Sequence, residues 1–185
     1  MSDFKLFPEN DVAELINYIG RNGTPRSVRR GETLVSVGED TGRAFLLCSG
    51  SVKCVLPDYR GKERVLAMMF EGELVANYLS SRCGFPSLFS VVTMENVECL
   101  EIVISEHQDF FGHTHNGVLY VRSFVESLAY NHLQKTISLA CLSPWERLNR
   151  LREKVPDVFQ RVNMKDVAAY IGVSPETLSR KLHLQ

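Results

Sequence analysis

The sequence predicts an α+β protein: a β-roll at the N-terminal end, one long helix, and a small C-terminal unit of short helices. Three observations carry this. Short β-branched and aromatic runs, separated by glycines about every 7 to 12 residues, fill positions 24–104 with the spacing of an all-β barrel or roll. Apolar residues then recur at threes and fours from Gly117 to about Cys141 with no proline, the mark of a single helix. Positions 143–185 hold three short segments with helix-start signals. The domains follow as 1–115 for the roll, 116–142 for the long helix and 143–185 for the terminal unit.

An amphipathic stretch, DVAELINYI (Asp11 to Ile19), precedes the roll. The strand runs are ETLVSV, RAFLLCSG, SVKCVLP, RVLAMMF and FSVVTMENVECLEIVI, punctuated by glycines that serve as turns. Closing many short strands into a roll leaves few exposed edges. In the long helix, Val118, Val121, Val125 and Leu128 form an apolar stripe too long for a small barrel to cover, which predicts a second copy of the chain as partner. His132 and Lys135 interrupt that stripe, and packing on its own barrel is the alternative. In the terminal unit, Ser143 caps SPWERLNRLREKV with Pro144 at the first helical position, and NMKDVAAYI follows. Gly172 then turns the chain into SPETLSRKL, capped by Ser174. Two helices joined by a glycine-bearing turn form a helix-turn-helix pattern.

A chain of 185 residues holds one sizeable core plus a small appendage. Hydrophobic content of 44% with 23% charged residues is that of a globular protein, and no apolar run reaches the roughly 20 residues a membrane span needs. The acidic start MSDFKLFPENDVAELI lacks the features of a secretory signal, so a cytoplasmic location is expected. The cysteines, Cys48, Cys54, Cys83, Cys99 and Cys141, are odd in number and scattered, which predicts thiols without disulfides or a metal cluster. Net charge is −1, but residues 1–142 carry 13 Lys+Arg against 17 Asp+Glu, whereas 143–185 carry 8 against 5. The basic end is the one with the paired helices.

Ser174 and Pro175 fix the helical numbering of SPETLSRKL. Leu178 and Leu182 point inward with Val167, Ala168, Ile171 and Val173, while Glu176, Ser179 and Arg180 share the opposite face. That trio suits a DNA major groove: a carboxylate accepts from cytosine, a guanidinium forks onto guanine, and a hydroxyl serves either. Ser174 and Thr177 at the helix start join the DNA-contacting set, and Lys165, Lys181 and Arg161 are placed to meet phosphates. A surface ion pair between Glu176 and Arg180 is the structural alternative.

The chain resembles the Crp/Fnr family of bacterial transcription regulators. The residues that carry the resemblance are RRGETLVSVGED (Arg29 to Asp40), CSGSVKCV (Cys48 to Val55), GKER (Gly61 to Arg64), GEL (Gly72 to Leu74) and ETLSR (Glu176 to Arg180), in the family's order. The resemblance implies a cyclic-nucleotide-binding-like roll (a double-stranded β-helix), a dimerisation helix and a C-terminal winged helix-turn-helix. It also implies a homodimer on palindromic double-stranded DNA, RNA polymerase as a further partner, and base contacts by Glu176, Ser179 and Arg180. The family's wing would follow the last helix; the sequence reaches only Gln185, so the wing is absent from these residues, and either the protein continues into one or the unit is wingless.

By the same resemblance the effector pocket comprises Gly72, Glu73, Leu74, Arg82, Ser87 and Leu88. In cyclic-AMP-binding members an arginine followed by serine or threonine neutralises the cyclic phosphate; here Ser87 and Leu88 align with that pair, and Arg82 is the nearby cation. An anion without a fixed cation is poorly held in a pocket, so the effector is expected to be something other than cyclic AMP. Residues 1–47 contain no cysteine, unlike iron–sulfur members. Haem or redox sensing would draw on His107, His113, His115, His132 or Cys83. A metal-dependent cupin-like enzyme would use His113 and His115, but these follow the last strand with no glutamate soon after, and a polar loop is expected there instead. Neither a metal site nor catalytic residues are predicted, and no cofactor is identified.

Overall fold

The computed structural model describes residues 9–39, 42–76 and 83–183. Helix α1 (Glu9–Asn22) leads into eight described strands, β1 (Thr24–Val28), β2 (Thr33–Val35), β3 (Arg43–Ser49), β4 (Val52–Pro57), β5 (Glu63–Met69), β6 (Leu74–Ala76), β7 (Ser90–Thr93) and β8 (Val97–Val103). They pair antiparallel in two four-stranded sheets, ordered β1-β8-β3-β6 and β2-β7-β4-β5. A 3₁₀ turn (Ile104–His107) and a π-helical turn (Asp109–His113) then lead into α2 (His115–Cys141). The chain ends in α3 (Pro144–Lys154), α4 (Val158–Arg161), α5 (Met164–Ile171) and α6 (Pro175–His183). Among the described residues no helix is long and apolar enough to cross a membrane.

Strand β3 shows why the roll has its shape. Phe45 and Leu47 point between the sheets, where they meet Val75, Val91, Val97 and Cys99. Alternate residues Ala44 and Leu46 face outward into a second cluster with Leu15 and Ile19 of α1 and Phe124 of α2. A strand buried on both faces reads as the unbroken apolar run AFLL. Gly50 closes the β3–β4 turn at φ 81°, and a Cβ there would strike the carbonyl oxygen of Asn96, so glycine is required twice over.

β1 and β6 fall outside the strand runs read from the sequence. β1, TPRSV, carries a proline, which its edge position beside β8 tolerates, and β6 spans only three residues. Thr114 caps α2 by accepting from the Gly117 amide at 3.0 Å. All five cysteines are free; Cys54 and Cys99 are buried, and burial pushes the Cys54 thiol up to about 12.

A third cluster joins the roll to the terminal helices. Val55, Val65, Met68, Phe70 and Met94 of the roll pack with Leu148, Leu151, Val155, Val158, Val162, Val167 and Ile171. The terminal unit is therefore seated on the β2-β7-β4-β5 side of the roll, while α1 and the first half of α2 cover the other sheet.

Candidate nucleic-acid interface

The terminal unit is shaped by local capping chemistry. Ser143 and Glu146 form a reciprocal capping box at the start of α3. Asn163 caps α5 by accepting from the Asp166 amide at 2.8 Å. Gly172 ends α5 in the left-handed region at φ 85°, and its amide and that of Val173 donate to the Ala168 carbonyl. Ser174 then starts α6, accepting from the Thr177 amide at 3.2 Å.

Across the three-residue turn, Leu178 is fully buried against Val167, Ala168 and Ile171, with Val173 and Leu182 packed around it. Glu176 and Arg180 lie exposed on α6, and Ser179 and Thr177 are half-buried. The Arg180 Nε approaches the Glu176 main-chain carbonyl at 3.5 Å, so the guanidinium lies along the helix. The Ser174 side chain, with the local amide and the charges of Arg180 and Lys62, holds the Glu176 carboxyl below its usual range. Lys165 is exposed, and the Lys181 ammonium lies 5.7 Å from the Trp145 ring centre.

Arg161, read from sequence as a phosphate contact, is instead engaged by the roll. Its Nη1 and Nη2 fork onto the Glu71 carboxylate at 2.9 and 2.6 Å, and Nη2 also reaches Glu95 at 3.1 Å. Lys154 donates to both oxygens of Glu73 at 3.1 and 3.0 Å. Both cations stand over the Phe70 ring, at 5.3 and 5.7 Å. Phe70, Glu71, Glu73, Lys154, Asp157 and Arg161 are among the residues lining a cleft of about 330 Å³. The Arg161 hydrogen bonds hold the Glu71 carboxyl below its usual range. At the same junction, Lys53 of β4 donates to Asp166 of α5 at 2.8 Å and to Glu63 at 2.6 Å. Burial acts to lower the Lys53 pKa, but its two carboxylates outweigh that and raise it.

Of the residues assigned by resemblance to the effector pocket, all but Arg82 are described. Gly72 makes the positive-φ turn before β6, and Leu74 packs under α1 and α2. Besides Lys154, Glu73 accepts the Phe70 amide at 2.9 Å. Ser87 is buried, its hydroxyl donating to the Phe89 carbonyl at 2.6 Å and its amide to Glu39. Among the described residues, Glu73 and Ser87 share no hydrogen-bond partner; Leu88 is exposed, and Arg82 lies outside the described residues.

The stripe on α2 divides. Leu128 packs on its own roll with Phe124 and Tyr120, and Val118, Val121 and Val125 line a cleft of about 780 Å³ shared with α1 and the outer sheet face. Farther along, Leu133, Ile137 and Leu139 are exposed at 57, 42 and 55%. His113 and His115 are both exposed, the former 3.5 Å from Asp109. Among the described residues, no group of three His, Cys, Asp or Glu is placed to hold a metal ion.

Residues 25–113 match the cyclic nucleotide-binding domain family. The chain is 30% identical over 153 residues to the cyclic AMP receptor protein of Thermus thermophilus, covering 78% of this chain and 68% of that one. The c-di-GMP-responsive global regulator CLP of Xanthomonas campestris has a similar fold, with a TM-score of 0.69 at 20% identity over 93% of this chain and 90% of that one. FixK2 of Bradyrhizobium japonicum is similar at a TM-score of 0.70 and 15% identity over 88% and 83%.

Proposed function

The chain belongs to the Crp/Fnr family of transcription regulators, and on that footing we propose that it is a sequence-specific DNA-binding regulator that acts as a homodimer and answers to a small effector in its roll. The observation that carries the reading is the division of α6: Leu178 anchors one face while Glu176, Ser179 and Arg180 occupy the other. α5 and α6 then act as the helix-turn-helix, with α6 in the major groove, Ser174 and Thr177 at its entry, and Lys165 and Lys181 on the backbone. Dimerisation is supported by the contiguous exposed residues Leu133 and Ile137, one helical turn apart on α2. The two recognition helices of such a dimer enter successive major grooves about 34 Å apart. RNA polymerase is the further partner this reading implies.

The effector in this reading is not cyclic AMP. The aligned position for the phosphate-neutralising arginine is Ser87, whose hydroxyl is spent on Phe89, and Glu73 is spent on Lys154. Effector binding reorients the DNA-binding unit through α2, which requires an effector that binds one conformer better than the other. Selection from a pool of randomised duplexes tests the proposal: a palindrome with half-sites one helical turn apart is expected, and a pool left unenriched contradicts it. Calorimetry with cyclic AMP is expected to show no micromolar binding, and such binding would contradict the effector reading.

A further inference from the structure

The cations that the terminal unit would offer to DNA phosphates are not all free. Arg161 keeps only 17% of its side chain exposed and is held by two carboxylates, Glu71 and Glu95. Those carboxylates are themselves fixed or close by: Glu95 accepts the Ser51 hydroxyl at 2.5 Å, and Glu71 lies in the same tight turn as Glu73, which takes Lys154. Phe70, 4% exposed, supplies an aromatic face under both cations. A carboxylate presents the same pair of oxygens to a guanidinium fork that a phosphate does.

An apolar junction seats the unit, with Val55, Val65, Met68 and Met94 in one cluster with Val155, Val158 and Ile171. Ion pairs at such a partly exposed rim add little to the stability of a fold. Their larger effect is on which anion the cations hold, because a DNA backbone competes for them in a salt-dependent way.

We propose that Glu71, Glu73 and Glu95 are an internal competitor for DNA phosphate, which occupies Arg161 and Lys154 and keeps the chain in a state of low DNA affinity. The proposal rests on the DNA-binding reading above. It makes the Gly72 turn a coupling point: a ligand or rearrangement that draws off Glu71 or Glu73 frees the cations of α3 and α4 for the backbone. Three roll carboxylates facing two cations leave a local excess of negative charge that itself repels an approaching duplex.

The test compares the full chain with its Glu71→Gln/Glu95→Gln variant, neither residue belonging to the base-reading face of α6. With a fluorescein-labelled mixed-sequence duplex of about 40 base pairs, the variant is expected to bind roughly fivefold tighter or more, with a steeper salt dependence. Arg161→Gln is expected to change affinity less than about twofold in the parent and to abolish the whole gain in the variant, a non-additivity that a general loss of negative charge does not produce. Equal affinity of parent and variant, or additive effects of Arg161→Gln, overturns the proposal. Amide hydrogen exchange without DNA separates the two levels. Faster exchange in α4 in the variant supports the latch, and unchanged exchange overturns it. Faster exchange with no duplex bound by either protein at about 50 mM salt overturns the DNA-binding reading instead.

Discussion

The guanidinium of Arg147 donates two hydrogen bonds to the carbonyl oxygen of Ile171, at 2.7 and 3.0 Å. Ile171 is the last residue of α5, where main-chain carbonyls lack helical partners and a cation meets the negative end of the helix dipole. The remaining nitrogen, Nη1, donates to Leu142 at 2.8 Å and lies 3.3 Å from Ser138, at the end of α2. One side chain thus ties the end of the long helix to the end of the first of the two paired helices.

Arg147→Met removes this tie while keeping most of the volume. A loss of about 2–3 kcal/mol is expected, since hydrogen bonds to a charged group are lost and half-buried carbonyls are left open. Urea unfolding with an unchanged slope checks it. Arg147→Lys is expected to recover less than half, because a point charge cannot fork to both helix ends.

The Lys53–Asp166 pair joins β4 to α5 with side chains only 13 and 5% exposed. Lys53→Met leaves Asp166 buried with, among the described residues, only Asn163 as side-chain partner, and a loss of about 3 kcal/mol is expected. Lys53→Met combined with Asp166→Leu is expected to lose clearly less than the sum of the singles. Strict additivity in a denaturation cycle would mean that the two groups do not act on each other.

Lys135 of α2 sits with its ammonium 3.5 Å from the Tyr170 ring centre, and burial, with the charge of Arg147, lowers its pKa from 10.5 to about 8. Below pH 8 this lysine is charged in both folded and unfolded chains, and the folded one bears the desolvation penalty, offset in part by Tyr170. Lys135→Met is therefore expected to be more stable at pH 7 by about 1–2 kcal/mol. Between pH 8 and 10.5 the unfolded chain binds more protons than the folded one, so the parent gains stability with rising pH and the difference closes. Thermal unfolding at pH 7, 8.5 and 10 measures it, and a difference that widens with pH would contradict the assignment.

Leu133 and Ile137 lie one turn apart on the exposed side of α2. In the proposed dimer, Leu133→Asp/Ile137→Asp is expected to halve the mass measured by light scattering, while the melting of the monomer stays within about 0.5 kcal/mol, as for other exposed sites. An unchanged dimer mass would move the interface elsewhere.

The features legible in the sequence were those written in local chemistry. Short β-branched runs between positive-φ glycines marked most of the strands, and Ser143, Gly172 and Ser174 marked the ends of the terminal helices because caps act within three residues. The contacts that seat the terminal unit were not legible. Lys53 and Asp166 are 113 residues apart, and Arg161 and Glu71 are 90 apart, with no periodicity to announce either pair. Arg161 was readable as a cation, but its present partner was not. The α2 stripe shows the same limit: spacing identifies an apolar face, yet only the fold reveals that Leu128 spends itself on the roll while Leu133 does not.

Base reading by α6 is the central claim, and affinities of Arg180→Ala for the selected palindrome and for a mixed-sequence duplex test it most directly. A loss of about 1–3 kcal/mol, roughly 5- to 150-fold, is predicted on the palindrome, with relaxed preference at one base pair and less than about twofold change on the mixed sequence. Equal weakening on both duplexes would make Arg180 a phosphate contact and contradict the account.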